Sequence, residues 1–247
     1  MEFKTTLAVG MIAVASLAQA QNITSRKGEM SYTYVYGAGG DSHSDSYSNV
    51  KTAILGSDFD DAFFTGSTSG VLPGGTPYAA GVGTNQHYEY AVTGPTSSFS
   101  SISASGSTTV TTTTSGAGTA QMLSSNPGNE QVIEFTLDSS VDYTLSGMIE
   151  TSLTNAGTAN YVDLRRFDGI TWQIVYTSIF LPNQQGTIAS AGTLTAGQYR
   201  LGSGIALNAF GNQNESGSYN YQFDVVPEPA TCLLAIPALA LLRKKRK

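Results

Sequence analysis

Asp58, Asp60 and Asp61 form the densest acidic cluster in the chain, with Asp41 and Asp45 upstream. Carboxylates on a loop are hard oxygen ligands of the kind that hold calcium. Their spacing fits no regular calcium-binding loop, so they read first as surface acids, and calcium is the only cofactor they point to. Glycoside hydrolysis would need two carboxyl groups facing one cleft at a fixed separation. The sequence singles out no such pair among its many acids. His43 and His87 are the only histidines and stand in no metal-binding spacing. They read as surface residues. No Gly-x-Ser-x-Gly elbow and no phosphate loop ending in Lys-Ser/Thr occurs. Gly37-Ala38-Gly39-Gly40 precedes Asp41 without the dinucleotide-binding pattern. Asn22-Ile23-Thr24 and Asn214-Glu215-Ser216 match the N-glycosylation pattern in form only. Trp172, the single tryptophan, reads as a core side chain, the alternative being stacking on a sugar ring. No catalytic residue is expected, and the chain reads as non-enzymatic.

The elements that would position these groups are strands. Tyr32, Tyr34 and Tyr36 alternate with Ser31, Thr33 and Val35, and Ile133, Phe135 and Leu137 alternate with Val132, Glu134 and Thr136. Period-two patterning recurs at Tyr143–Gly147, Tyr161–Leu164, Ile170–Tyr176, Gly197–Leu201 and Tyr219–Val225. Asp168-Gly169 between two apolar runs signals a hairpin, because Gly tolerates the positive φ of a tight turn. No helical periodicity occurs between the two ends. The expectation is an all-β antiparallel sandwich or jelly roll over residues 21–226, with an N-terminal signal helix and a C-terminal apolar helix flanking it. Ser31–Tyr36 is expected near Tyr219–Val225, since chain ends of such domains often sit together. The Ser/Thr-rich stretch from Thr93 to Ser125 reads as an outer strand with one solvated face, against the alternative of a glycosylated stalk. Residues from Gly70 to Gly83 read as a long loop.

Charge limits the partners. Between Gln21 and Val226 there are 6 Lys and Arg against 16 Asp and Glu, a net charge of −10. Such a body repels phosphate backbones and argues against nucleic acid. Cys232, the only cysteine, lies in the C-terminal apolar run, so the body has no disulfide and no thiolate metal site.

The ends carry addresses. Lys4, an apolar stretch from Leu7 to Leu17, and Ala18-Gln19-Ala20 make a signal peptide with cleavage by signal peptidase expected before Gln21. Residues 1–20 are therefore set apart from the domain. At the other end, Val226-Pro227-Glu228-Pro229 leads into the apolar run Ala230–Leu242 and then Arg243, Lys244, Lys245, Arg246 and Lys247. A basic cluster after an apolar helix stops transfer and stays cytoplasmic. The run holds 13 residues. At ~1.5 Å each it reaches ~20 Å, short of a ~30 Å hydrocarbon core. Pro237 weakens it further. Transient insertion in the inner membrane fits better than permanent anchoring.

Residues 227–247 resemble the PEP-CTERM sorting tail: a Pro-Glu-Pro motif at Pro227, Glu228 and Pro229, a short apolar helix and a basic end, in a chain that begins with a signal peptide. The resemblance implies processing by an exosortase-like membrane enzyme of a Gram-negative bacterium and delivery to the cell surface or extracellular matrix. The body is also loosely similar to the sandwich domains common in such precursors. That similarity implies a fold and not a ligand; the leading reading of the whole chain is a non-enzymatic surface or matrix protein, associated with exopolysaccharide or biofilm. A carbohydrate-binding module and a secreted glycan hydrolase are the alternatives. Exposed aromatics in a row favour the module. A concave site with two carboxylates a few ångströms apart favours the hydrolase.

Overall fold

The computed structural model describes residues 21–52, 58–124, 130–152, 160–180 and 184–226, with no side-chain description for residues 51–62 and 180. Both expected flanking helices, and with them every signal-cleavage position except Gln21, the Pro-Glu-Pro motif and the basic end, lie outside those residues.

Fourteen strands and no helix make up the described chain. They are β1 (Gln21–Ala38), β2 (Asp41–Thr52), β3 (Asp58–Val71), β4 (Pro77–Thr93), β5 (Ser101–Gly116), β6 (Thr119–Ser124), β7 (Glu130–Leu137), β8 (Val141–Thr151), β9 (Asn160–Phe167), β10 (Trp172–Phe180), β11 (Gln185–Leu194), β12 (Gly197–Gly204), β13 (Leu207–Phe210) and β14 (Gln213–Val226). All ladders are antiparallel, in two packed sheets, as the alternation predicts.

The first sheet holds eight strands and the second runs β11-β8-β14-β5-β4-β3. In the first, Lys27–Glu29 pair with both β2 and β7, and Thr33–Gly37 pair with both β2 and β6. A strand has only two edges, so β6 and β7 lie end to end along one side of β1 with β2 on the other. By the same logic β12 and β13 lie end to end beyond them. β9 and β10 complete the sheet. One margin of the sandwich is thus β2 over β3, and the other is β10 over β11.

The apolar core centres on Phe135 of β7, which lies 5.5 Å from Phe99, 5.6 Å from Tyr199 and 5.3 Å from Phe223. Burying each such ring stabilises the fold by about 1.5–3 kcal/mol. Toward β4 the interior becomes polar. Gln86 donates to Ser124 Oγ at 2.9 Å, and Tyr219 donates to Gln131 Oε1 at 3.3 Å. The Arg26 guanidinium, on the inner face, lies 5.2 Å from the centre of the Tyr90 ring. Burial drives the phenols of Tyr88, Tyr219 and Tyr221 far above their ordinary range.

Several expectations are corrected. Ser31–Tyr36 and Tyr219–Val225 sit in opposite sheets, because β1 pairs with β2, β6 and β7 while β14 pairs with β5 and β8. The domain's ends still meet, through the segment after β4: Ile23 donates to Thr96 O and Val225 to Ser100 O, both at 2.9 Å. Much of Gly70–Gly83 belongs to β3 and β4, paired from Val71↔Pro77 inward. Small residues there suit two close-packed strands as well as a loop. β5 is a central strand rather than an outer one, with Thr108, Val110 and Thr112 buried and the alternate residues solvated.

Candidate functional site

The margin between β2 and β3 gathers the aromatic and titratable residues best placed to hold a ligand. The turn at Gly39-Gly40 reverses β1 into β2, with Gly39 at φ +57°. That register sets Tyr47 opposite Tyr32, Asp45 opposite Tyr34 and His43 opposite Tyr36, all on the inner face. From the facing sheet, β3 inserts Phe64. Its ring stacks 4.4 Å from Tyr34 and 5.6 Å from Tyr32. Tyr47 stacks on Tyr32 at 4.9 Å, Tyr36 follows Tyr34 at 5.8 Å, and His43 lies 5.1 Å from Tyr36. The result is a continuous row of near-parallel rings, buried at Tyr32 and open at Tyr47, which is 36% exposed. A Cβ on Gly66 would lie 2.7 Å from the Tyr36 ring, so glycine there is what admits it.

Desolvation raises the phenols of Tyr32 and Tyr34, and the neighbouring rings and Asp45 add to it. They remain neutral hydroxyls that both donate and accept. Beside them Asp41 accepts from Tyr78 and, at 2.8 Å, from Thr68 Oγ1, with His43 Nε2 3.3 Å away. The Tyr78 bond chiefly, and then the Thr68 bond, hold the Asp41 carboxyl below the usual carboxylate range. Asp41 therefore ties β2 of one sheet to β3 and β4 of the other.

Asp41 and Asp45 do not form a close carboxyl pair at this margin. Asp41 and Asp45 are four residues apart on one strand, about 13 Å at ~3.3 Å per residue. Paired glycosidase carboxyls need roughly 5–9.5 Å. Acids on the outer face of the first sheet are engaged in pairs across strands or along one strand. Glu134 accepts from Arg200 at 2.8 Å and Ser25 at 2.9 Å, and buried Asp163 pairs with Arg165. Asp163 is nonetheless raised by desolvation, which outweighs that pair.

Asp58, Asp60 and Asp61 fall on β3, paired opposite Tyr90, Tyr88 and His87, rather than on a loop. Their side chains lie outside those described. Among the described residues no three His, Cys, Asp or Glu side chains cluster as metal ligands. His87 is half-buried on β4, away from His43 on β2. Trp172 is not a core residue. It pairs with Phe167 and lies half-buried on the outer face of the first sheet, with Arg200 Cζ 4.6 Å from its ring centre. Gln21 is the buried first residue of β1.

The Tyr32-Tyr34-Tyr36 alternation is legible in the sequence, but its partners are not. Phe64 stood in no recognised strand. Tyr47, Asp45 and His43 sit in a Ser-rich stretch with no apolar alternation. A Gly39-Gly40 turn read as a hairpin would have found all three.

The outer face of the second sheet offers shallow polar troughs. One, of about 460 Å³, is lined by Ser107, Thr109, Glu150, Ser152, Gln185 and Ser216. It lacks an aromatic side chain.

No family model matches the chain, and no curated protein is similar to it. Among solved structures, one described as "CBM4 structure and function" is similar over 44% of this chain and 71% of its own, at 14% identity and a TM-score of 0.25. The enzymatically active domain of tailspike protein 4 of bacteriophage CBA120 is similar over 69% of this chain and 19% of its own, at 9% identity and a TM-score of 0.23. TM-scores this low do not establish a shared fold.

Proposed function

We propose that this chain is an exported, non-catalytic surface or matrix protein whose sandwich binds extracellular polysaccharide along the aromatic margin between β2 and β3. The observation that supports this is the row Tyr47-Tyr32-Phe64-Tyr34-Tyr36, open at one end and flanked by Asp41, Asp45 and His43. Sugar rings present apolar C–H faces edged by hydroxyls. Tyr47, stacked on Tyr32 and accessible at the open end of the row, offers ring surface beside hydrogen-bonding groups and meets both needs. The signal sequence and the Pro-Glu-Pro tail account for delivery, through signal peptidase and an exosortase-like enzyme. The test is a glycan array probed with the exported form, with and without calcium. Retention on a neutral or weakly acidic polysaccharide is expected. Turnover of a bound glycan, abolished by substituting a specific acid pair, would replace this reading with a hydrolase.

A further inference from the structure

The margin opposite the aromatic row is built differently. Its two edge strands, β10 with sequence WQIVYTSIF and β11 with sequence QGTIASAGTL, contain no charged residue, no histidine and no proline. Among the described residues each has one ladder partner only, β9 or β8, so the outer edge of β10 carries backbone N–H and C=O groups outside any ladder, while on β11 the Ala189 N–H donates to the Tyr176 hydroxyl at 3.3 Å. Edge strands are ordinarily guarded by lysine, proline or a covering element. The far margin has charge in plenty, with Asp41, His43, Asp45 and Lys51 on β2 and Asp58, Asp60 and Asp61 on β3. β10 also exposes apolar side chains: Ile174 is 61% and Ile179 58% accessible. Its one protective feature, a bulge between Ile174 and Tyr176, leaves the segment from Tyr176 to Phe180 in regular register with β9.

We propose that β10 is a self-pairing edge, through which two copies of this chain join antiparallel along Tyr176–Phe180 and extend the eight-stranded sheet across a two-fold axis. Free backbone groups of an edge are satisfied by another extended strand, which fixes the class of partner. Charge selects the copy. A body of net charge −10 repels its own kind over most of its surface. At β10 neither chain brings a charge to the contact. A two-fold pairing is also self-complementary and closes after two copies, whereas pairing β10 with β2 of the next molecule would grow without end. In the dimer the two aromatic margins lie at opposite ends, so one assembly could bridge two polysaccharide strands.

The experiment is hydrogen exchange and sedimentation of the full-length chain in mild detergent over a concentration series. Exchange at Tyr176–Phe180 should slow as concentration rises, in step with a doubling of protein mass. Thr177→Lys and Ile179→Lys place charge on the exposed face of β10 and should return the chain to monomer, with the β signature in circular dichroism unchanged. Ser48→Lys on β2 should leave the dimer intact. Concentration-independent exchange at β10, a dimer that survives Ile179→Lys with its fold preserved, or an open-ended polymer would each overturn the proposal. The exchange measurement on the unmutated chain decides the matter even where a variant fails to fold.

Discussion

The rings of Tyr34 on β1 and Phe64 on β3 stack 4.4 Å apart and 16° from parallel, one contributed by each sheet. The margin of the sandwich is closed here by flat aromatic surface instead of aliphatic packing. At the open end of the row, beyond Tyr32, Tyr47 has a ring both stacked and accessible.

Tyr47→Ala should therefore weaken polysaccharide retention without unfolding the domain. The stacked pair with Tyr32 is worth about 0.5–1.5 kcal/mol, which sets the expected loss of stability. Loss of a comparable sugar contact would lower affinity about tenfold, since ~1.4 kcal/mol is a factor of ten. Phe63→Ala serves as the control. Phe63 is 72% exposed on the other face of β3, and its removal should leave retention unchanged. Affinity electrophoresis in polysaccharide-containing gels measures both variants. Equal retardation of Tyr47→Ala and wild type would remove the row from the binding reading.

Alternation made most of the body's strands legible, because a half-buried strand writes its two faces into the sequence. Tyr219–Val225 and Ile133–Leu137 are such cases. β2 escaped because, as an edge strand, it is nearly all exposed and carries no apolar period. β3 and β4 escaped where glycine stands at Gly66, Gly70, Gly81 and Gly83, since small residues in strands and loops look alike. Trp172 was misplaced for a related reason. Period two gives the two faces of a strand but not which one the second sheet covers. The site depends on β1, β2 and β3 meeting at one margin, and that pairing is tertiary information.

Glycines inside strands differ sharply in what they tolerate. A Cβ on Gly106 would lie 2.5 Å from the ring of Tyr219, which is fully buried and cannot swing aside. Gly106→Ala is expected to cost about 1–3 kcal/mol by overpacking. At Gly83 the nearest atom to an added Cβ is 3.6 Å away, an ordinary contact. Gly83→Ala should stay within about 0.5 kcal/mol of wild type. Urea denaturation of both variants checks the contrast. Similar midpoints would mean that Tyr219 has room the structure does not show.

Delivery can be tested independently of binding. As a helix, the 13-residue apolar run of the tail would reach only ~20 Å against a ~30 Å membrane core. Pro227 and Pro229 should hold the chain extended around Glu228, where a membrane enzyme could reach it. Replacing Pro227, Glu228 and Pro229 by alanine should leave the precursor full length and cell-associated. Deleting Arg243–Lys247 should instead weaken retention before processing. Immunoblots of cell and medium fractions from the native host distinguish these outcomes. Equal release of the triple-alanine variant and wild type would favour plain anchoring.

The turn between β9 and β10 should give the domain a resolvable acid dependence. Asp168 Oδ1 accepts from the backbone N–H of Ile170 and of Thr171, each at 2.8 Å, and Oδ2 accepts from Gln173 at 2.8 Å. The Thr171 and Ile170 bonds, followed by Gln173, lower its carboxyl from 3.8 to about 2. A depressed carboxyl favours folding while ionised, so the contribution is present above the unfolded value near pH ~3.9 and lost as pH falls toward about 2. Asp163 acts in the opposite sense. Its carboxyl is raised, so its ionisation disfavours the fold, and acid relieves that penalty. A bare melting curve against pH mixes the two, but the difference between wild type and Asp168→Asn isolates the turn. Wild type should melt higher at pH ~5, and the gap should close toward pH ~2. Amide exchange at Ile170 and Thr171 should quicken over the same interval in wild type. A gap between the two proteins that stays constant from pH ~5 to ~2 would show that the Asp168 charge does not hold this turn.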